Sequence, residues 1–195
     1  MNEIGKRQKA DNVSGLLGES GFREYMNQLD TPLETGYLLR IGIDHFKEIN
    51  DNFGQEYGDF VLKKTAECIS GCTSEGQKVY KLVADEFLIL DVASDEAKDA
   101  DKLYDKVREA IDRFIETNEF KVMYTVSGGI VPFAALKKGN QCSEALKLTD
   151  FALNEAKKLG FETCILPEVS LKMVKGISGI RLIGVKTIND VAGYI

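Results

Sequence analysis

The sequence offers little to soft metals, polyanions or membranes. Its one histidine, His45, and its four cysteines, Cys68, Cys72, Cys142 and Cys164, include no C-x-x-C pair, too few soft ligands for a structural zinc site. Cys68 and Cys72 are spaced for one face of a helix, so reduced and mostly buried thiols are expected. Acidic residues outnumber basic ones by 31 to 25, giving a formal charge of -6. Such a chain has no basic field to hold a nucleic-acid backbone, although a nucleotide needs only one or two well-placed cations. No run of about 18 apolar residues is available to span a bilayer. The opening MNEIGKRQKADN also lacks the apolar stretch of a secretory signal. The expectation is a cytoplasmic domain with no membrane segment and no nucleic-acid partner. Internal repeats and low-complexity tracts are absent too.

What is present suits one well-buried core: 195 residues, 44% hydrophobic and 29% charged. ESGFREYMNQL, from Glu19, sets Phe22, Tyr25, Met26 and Leu29 at helical spacing. GYLLRIGI, from Gly36, is short and apolar, as a strand buried on both faces would be. Two helical stretches follow, HFKEINDNFG and YGDFVLKKTAECIS, the second with an apolar stripe of Val61, Leu62, Ala66 and Ile69. KVYKLV and FLILDV read as the arms of a β-hairpin broken at Ala84 to Glu86. From Ser94 to Thr117, Leu103, Val107, Ala110, Ile111 and Phe114 predict a surface helix with one buried face. KVMYTVSGGIVPF predicts a strand whose Gly128 and Gly129 mark a kink or close packing. A helix capped by Ser143 then turns Leu146, Phe151, Ala152, Ala156 and Leu159 inward and ends at Gly160, before a last strand, ETCILP. A hairpin amid alternating helices and strands argues for an α+β sandwich rather than a doubly wound parallel sheet. Residues 169–195 do not continue the pattern, and fit an added hairpin, a connector or the start of a further domain.

Two carboxylate clusters carry the chemical interest. Asp85 and Glu86 are consecutive at the hairpin tip, so alternation would send them to opposite faces, and such acids are ordinarily solvated turn residues. Asp44 stands where a strand gives way to a helix, the place of an N-cap or of a metal ligand. Beyond it, Asn50 and Asp59 flank a turn at Gly54 and Gly58. An amide and a carboxylate together can accept the N–H donors of a guanine and satisfy its remaining edge.

IDHFKEINDNFGQEYGDFVL, VADEFLIL, YTVSGGIV and DFALNEAKKLG, in that order and after the opening DNVSGLLGESGF, resemble the GGDEF family of diguanylate cyclase domains. The resemblance runs from about Asp11 to Pro167. It divides the chain into an N-terminal extension at 1–10, a GGDEF-like domain at 11–168 and a C-terminal extension at 169–195. The fold it implies is α+β: a central, mostly antiparallel five-stranded sheet flanked by helices, as in nucleotidyl cyclases and polymerase palms. Two such domains each hold a GTP and join them into cyclic di-GMP, with Mg²⁺ ions bridging the triphosphate. By this resemblance Asn50 and Asp59 contact guanine, beside Phe46, while Lys47 and Lys157 contact phosphate. Asp85 and the carbonyl of Ile43 are metal ligands, Asp44 is a substitute ligand, and Glu86 and Lys47 would serve catalysis in an active enzyme.

The departures are as informative. The first metal-binding aspartate of the family falls at Gly42. Residues 42 and 44 of a strand face one side but lie about 6.5 Å apart, whereas Mg²⁺ needs oxygen at about 2.1 Å. The signature reads Val83-Ala84-Asp85-Glu86-Phe87, and a left-handed valine would cost roughly 1–2 kcal/mol. Phe161 takes the place of a phosphate-binding arginine, and Ser74, Glu75, Gly76 and Gln77 replace the R-x-x-D of the inhibitory product site. The expectation is therefore a degenerate GGDEF domain acting as a regulatory module, able to bind GTP and Mg²⁺ with it, attached to a sensor or EAL-type domain, or homodimeric. The alternatives are an active diguanylate cyclase and an interaction or dimerisation domain that binds no nucleotide.

Overall fold

A computed structural model describes residues 10–29, 32–92, 94, 97–117, 122–136, 141–159, 163–167 and 181–185. Its central strand is β2 (Tyr37–Ile43), all seven residues of which are buried. Burial on both faces follows from its place in a five-stranded sheet, the strand order being β1 (Leu17–Gly18), β3 (Gln77–Lys81), β4 (Glu86–Asp91), β2 and β5 (Val126–Pro132). β1 runs parallel to β3, and the other neighbours are antiparallel.

Alternation along the strands separates two cores. Tyr37, Leu39, Ile41, Ile43, Phe87 and Ile89 pack under α2 (Phe46–Phe53), α3 (Gln55–Cys72) and α4 (Ala97–Thr117). On the opposite face, Leu38, Leu88 and Leu90 meet Phe22 and Met26 of α1 (Glu19–Asn27) and Ala145 and Ala152 of α5 (Gln141–Leu159). The sandwich expected from sequence is thus present. No helix among the described residues is long and apolar enough to cross a membrane.

Several expectations need correction. The fifth place in the sheet belongs to Leu17–Gly18, while ETCILP forms β6 (Thr163–Pro167) and pairs in parallel with β7 (Arg181–Val185) in a separate two-stranded sheet. That parallel pairing is not a hairpin; most of 169–195, together with Gly160 and Phe161, lies outside the described residues. The strand before Gly128 begins only at Val126, and Met123 is exposed. α4 starts at Ala97 rather than Ser94, and Ser143 lies inside α5 instead of capping it. Cys68, Cys72 and Cys142 are free and half-buried, the first two donating weakly to carbonyls of α4.

Phe151 points to solvent at 56% exposure, and Leu153 takes the inward position. A Cβ on Gly129 would stand 2.6 Å from the backbone nitrogen of Leu153 and 2.8 Å from Ala152, so α5 lies directly on β5. Gly128, on the other face, makes room for the ring of Tyr104, whose hydroxyl donates to the Val126 carbonyl at 2.7 Å. The glycine pair thus serves close approach on both faces of a continuous strand.

Gly129→Ala should destabilise the fold by about 2 kcal/mol in urea unfolding, because backbone must move to admit the methyl group. Gly71→Ala, where nothing lies within 4 Å of the added carbon, should be neutral or stabilising by about 0.5 kcal/mol.

Candidate nucleotide and cation site

The hairpin tip reaches its shape without glycine. Glu86 N–H donates to the Val83 carbonyl at 3.2 Å, closing a four-residue turn. Positive φ falls on Ala84 alone, at 52°, the sign pattern of a type II′ turn. Val83 avoids the left-handed strain expected of it and lies 67% exposed. Beneath the turn is Lys81, a buried cation whose ammonium donates to the carbonyls of Leu82, at 3.1 Å, and Ala84, over the ring of Phe87. Burial pulls its pKa below the ordinary lysine value, against the opposing pull of Asp11, Asp85 and Glu86. These contacts offset the cost of a left-handed alanine, about 1 kcal/mol.

Asp85 and Glu86 do not diverge as strict alternation predicts, because Asp85 lies in the turn and β4 starts at Glu86. Both meet cations on the α5 side. Asp85 Oδ2 accepts from Lys157 Nζ at 2.9 Å, and the same ammonium lies 3.4 Å from the Ile43 carbonyl. Glu86 is paired with Arg40, whose guanidinium also binds Asp150 at 3.0 Å and donates to the Leu146 carbonyl at 3.1 Å. Arg40 escaped notice in the sequence, although a lone charge inside YLLRIGI was signal enough that a buried carboxylate had to answer it.

On the opposite face, at the α2–α3 corner, Asn50 Oδ1 is buried with no hydrogen-bond partner. It occupies the space that a Cβ on Gly58 would fill, which sets the amide one residue from Asp59, half-buried on α3. Phe46 Cζ approaches the same point at 3.3 Å, and Lys47 stands exposed on α2. The corner thus holds an orphaned acceptor and an aromatic ring, with Asp59 the next residue along α3.

Asp44 is not the N-cap. α2 begins one residue later, after His45 in a left-handed conformation with φ 54°. The Asp44 carboxylate instead accepts from Thr125 Oγ1 and Ser127 Oγ, both at 2.7 Å, tying the end of β2 to β5. Those hydroxyls could be paired with Asp44 only once the strand register was known. Ser74 to Gln77 forms a closed turn, with Ser74 N–H donating to Gln77 Oε1 at 2.9 Å and Gln77 Nε2 to Asp91 at 2.7 Å. A cleft of about 510 Å³ opens on another face of α2, lined by Asp44, Glu48, Phe53, Glu116 and Met123 among others; Asn50, Asp59, Asp85 and Lys157 do not line it.

The family model described as diguanylate cyclase, GGDEF domain, matches residues 9–163. Cyclic di-GMP phosphodiesterase NbdA of Pseudomonas aeruginosa is 29% identical over 155 residues, covering 77% of this chain and 19% of that protein. Diguanylate cyclase VdcA of Vibrio cholerae is 26% identical over 162 residues, covering 82% and 47%. The chain therefore spans from about a fifth to about half of these curated relatives. Among solved structures, the GGDEF domain of DgcB from Caulobacter crescentus, in complex with c-di-GMP, superposes with a TM-score of 0.67 at 23% identity, over 77% of this chain and 91% of that one. Diguanylate cyclase SiaD from Pseudomonas aeruginosa, in complex with its activator SiaC, gives 0.65 at 24%, over 77% and 58%.

Arg40→Leu should cost about 3 kcal/mol in urea unfolding, since it strands Glu86 beside Asp150. Glu86→Gln should cost less, because Asp150 and the Leu146 carbonyl still hold the guanidinium.

Proposed function

The chain belongs to the GGDEF domain family, and on that premise we propose that it is a non-catalytic module of cyclic di-GMP signalling that binds a guanine nucleotide. The observation that carries this reading is the contrast between the two faces of the sheet. At the α2–α3 corner, a buried acceptor on Asn50 is left for a ligand beside Asp59. An unpaired buried acceptor costs about 1–3 kcal/mol, which a guanine N–H would recover. On the α5 face, position 42 carries no carboxylate, Asp85 is paired with Lys157 and Glu86 with Arg40.

A cyclase must hold the triphosphate and stabilise charge on leaving pyrophosphate. Removing one preorganised electrostatic group commonly costs about 100-fold in rate. This chain lacks the carboxylate at Gly42 and carries Phe161 where the resemblance places an arginine. Asp44 is a poor substitute, its two oxygens being held by Thr125 and Ser127. The domain would then work by occupancy, within a longer chain that carries a sensor or an output domain or in a homodimer. The matched relatives, which extend well beyond the shared region, support such an arrangement.

Purified protein incubated with GTP and Mg²⁺ or Mn²⁺ should yield no cyclic di-GMP. Calorimetric titration should give tighter binding of GTP than of ATP, and Asn50→Ala or Asp59→Ala should each weaken GTP about tenfold, the loss of one buried hydrogen bond. Equal affinity for the two nucleotides would remove guanine recognition from the reading, and turnover to cyclic di-GMP would remove its non-catalytic part.

A further inference from the structure

We propose that Lys157 is a resident cation: its ammonium stands where the family would hold a divalent ion, so that this site needs no metal to balance nucleotide phosphate. The inference concerns the α5 face and rests on the nucleotide reading above only for its ligand.

Three observations converge on one atom. The two oxygens assigned to metal by resemblance, Asp85 Oδ2 and the Ile43 carbonyl, both face Lys157 Nζ, at 2.9 and 3.4 Å. A Cβ on Gly42 would lie 2.7 Å from Nζ and 2.8 Å from Cε, so the ammonium fills the space from which a carboxylate at that position would extend. An aspartate there would require the tip of the docked lysine to move. Asp44 supplies no further oxygen, and among the described residues no group of three or more His, Cys, Asp or Glu side chains is placed to hold a metal ion. Mg²⁺ needs six oxygens near about 2.1 Å, a geometry that one carboxylate and one carbonyl already shared with an ammonium do not supply.

The exchange is electrostatically coherent. With neither metal nor lysine, Asp85 would repel a nucleotide phosphate. The ammonium neutralises it and has three donors, of which two face the oxygens just named. The Lys157 side chain is 28% exposed, which leaves the pair accessible to an anion from outside. Glu86 stays paired with Arg40, which it shares with Asp150.

The test needs no nucleotide in its first arm. Mn²⁺ binding to the full 195-residue chain is followed by electron paramagnetic resonance, with the wild-type protein beside Gly42→Asp. The variant adds a carboxylate and displaces a flexible lysine tip, so it should bind Mn²⁺ where the wild type takes up none at millimolar metal. Uptake by the wild type that Asp85→Asn abolishes overturns the proposal. So does uptake by neither protein, because displacing the ammonium would then have uncovered no metal seat.

In the second arm, GTP is titrated in Mg²⁺ and in EDTA. Wild-type affinity should change by less than about twofold between them, and Lys157→Met should weaken binding about tenfold in both, with its thermal melt checking the fold. A tenfold gain from Mg²⁺ in the wild type contradicts the resident cation. Failure of GTP to bind in either buffer defeats the nucleotide reading, while the Mn²⁺ arm still decides the identity of the cation seat.

Discussion

The approach of α5 to the sheet is the constraint from which the rest follows. Gly129 on β5 and Gly42 on β2 present no side chain toward α5, so its Ala152 and Leu153 settle at van der Waals contact with the strands. A helix so close can reach the sheet with side chains of ordinary length. Leu146 and Asp150 meet Arg40 near its start, and Lys157 reaches Asp85 and Ile43 near its end. Remove the glycines and the helix rises, taking both ion-pair systems out of register with the acids of the hairpin.

Ion pairs thereby join α5 to the sheet. Arg40 answers Glu86 and Asp150, Lys157 answers Asp85, and Lys81 lies under the turn that carries both signature acids. Desolvating a charge without a partner costs several kcal/mol, so each of these cations is required once its acid is enclosed. A cyclase has the opposite need, since its acids must remain ready for an external cation whose charge stabilises the leaving group. On the non-catalytic reading proposed above, the paired charges that hold α5 to the hairpin also occupy those acids.

Much of this was readable in the sequence where one physical demand dominated. The unbroken apolar run of Tyr37–Ile43 could only be a strand covered on both sides, and the stripe of Val61, Leu62, Ala66 and Ile69 fixed the inner face of α3. Legibility failed where two demands met. Phe151 matched the helical spacing of buried residues, but Ala152 and Leu153 meet the glycine-floored strands and leave it on the outer face. Asp44 had the position of a cap, yet two hydroxyls across the β2–β5 register claimed its carboxylate. Val83 was placed under strain by analogy with a glycine pair, whereas the turn confines positive φ to Ala84. The misses at Phe151 and Asp44 involved partners distant in sequence, and local patterning holds no record of such partners.

The candidate site residues are divided between the two faces of the sheet. Asn50 and Asp59 belong to the α2–α3 layer, whose core is built on Ile49, Val61 and Leu62 beneath Ile41 and Ile43. Lys157, Asp85 and Gly42 belong to the α5 layer on the reverse of the same strands. At the end of β2, Ile43 turns its side chain into one core and its carbonyl toward the lysine of the other layer. Changes on the α5 face therefore leave the packing under Asn50 undisturbed, as expected for substitutions that share no partners. An unsatisfied amide oxygen held in a well-packed corner carries a standing cost with no return inside the domain itself. On the reading proposed above, that cost is the one a bound guanine N–H would recover.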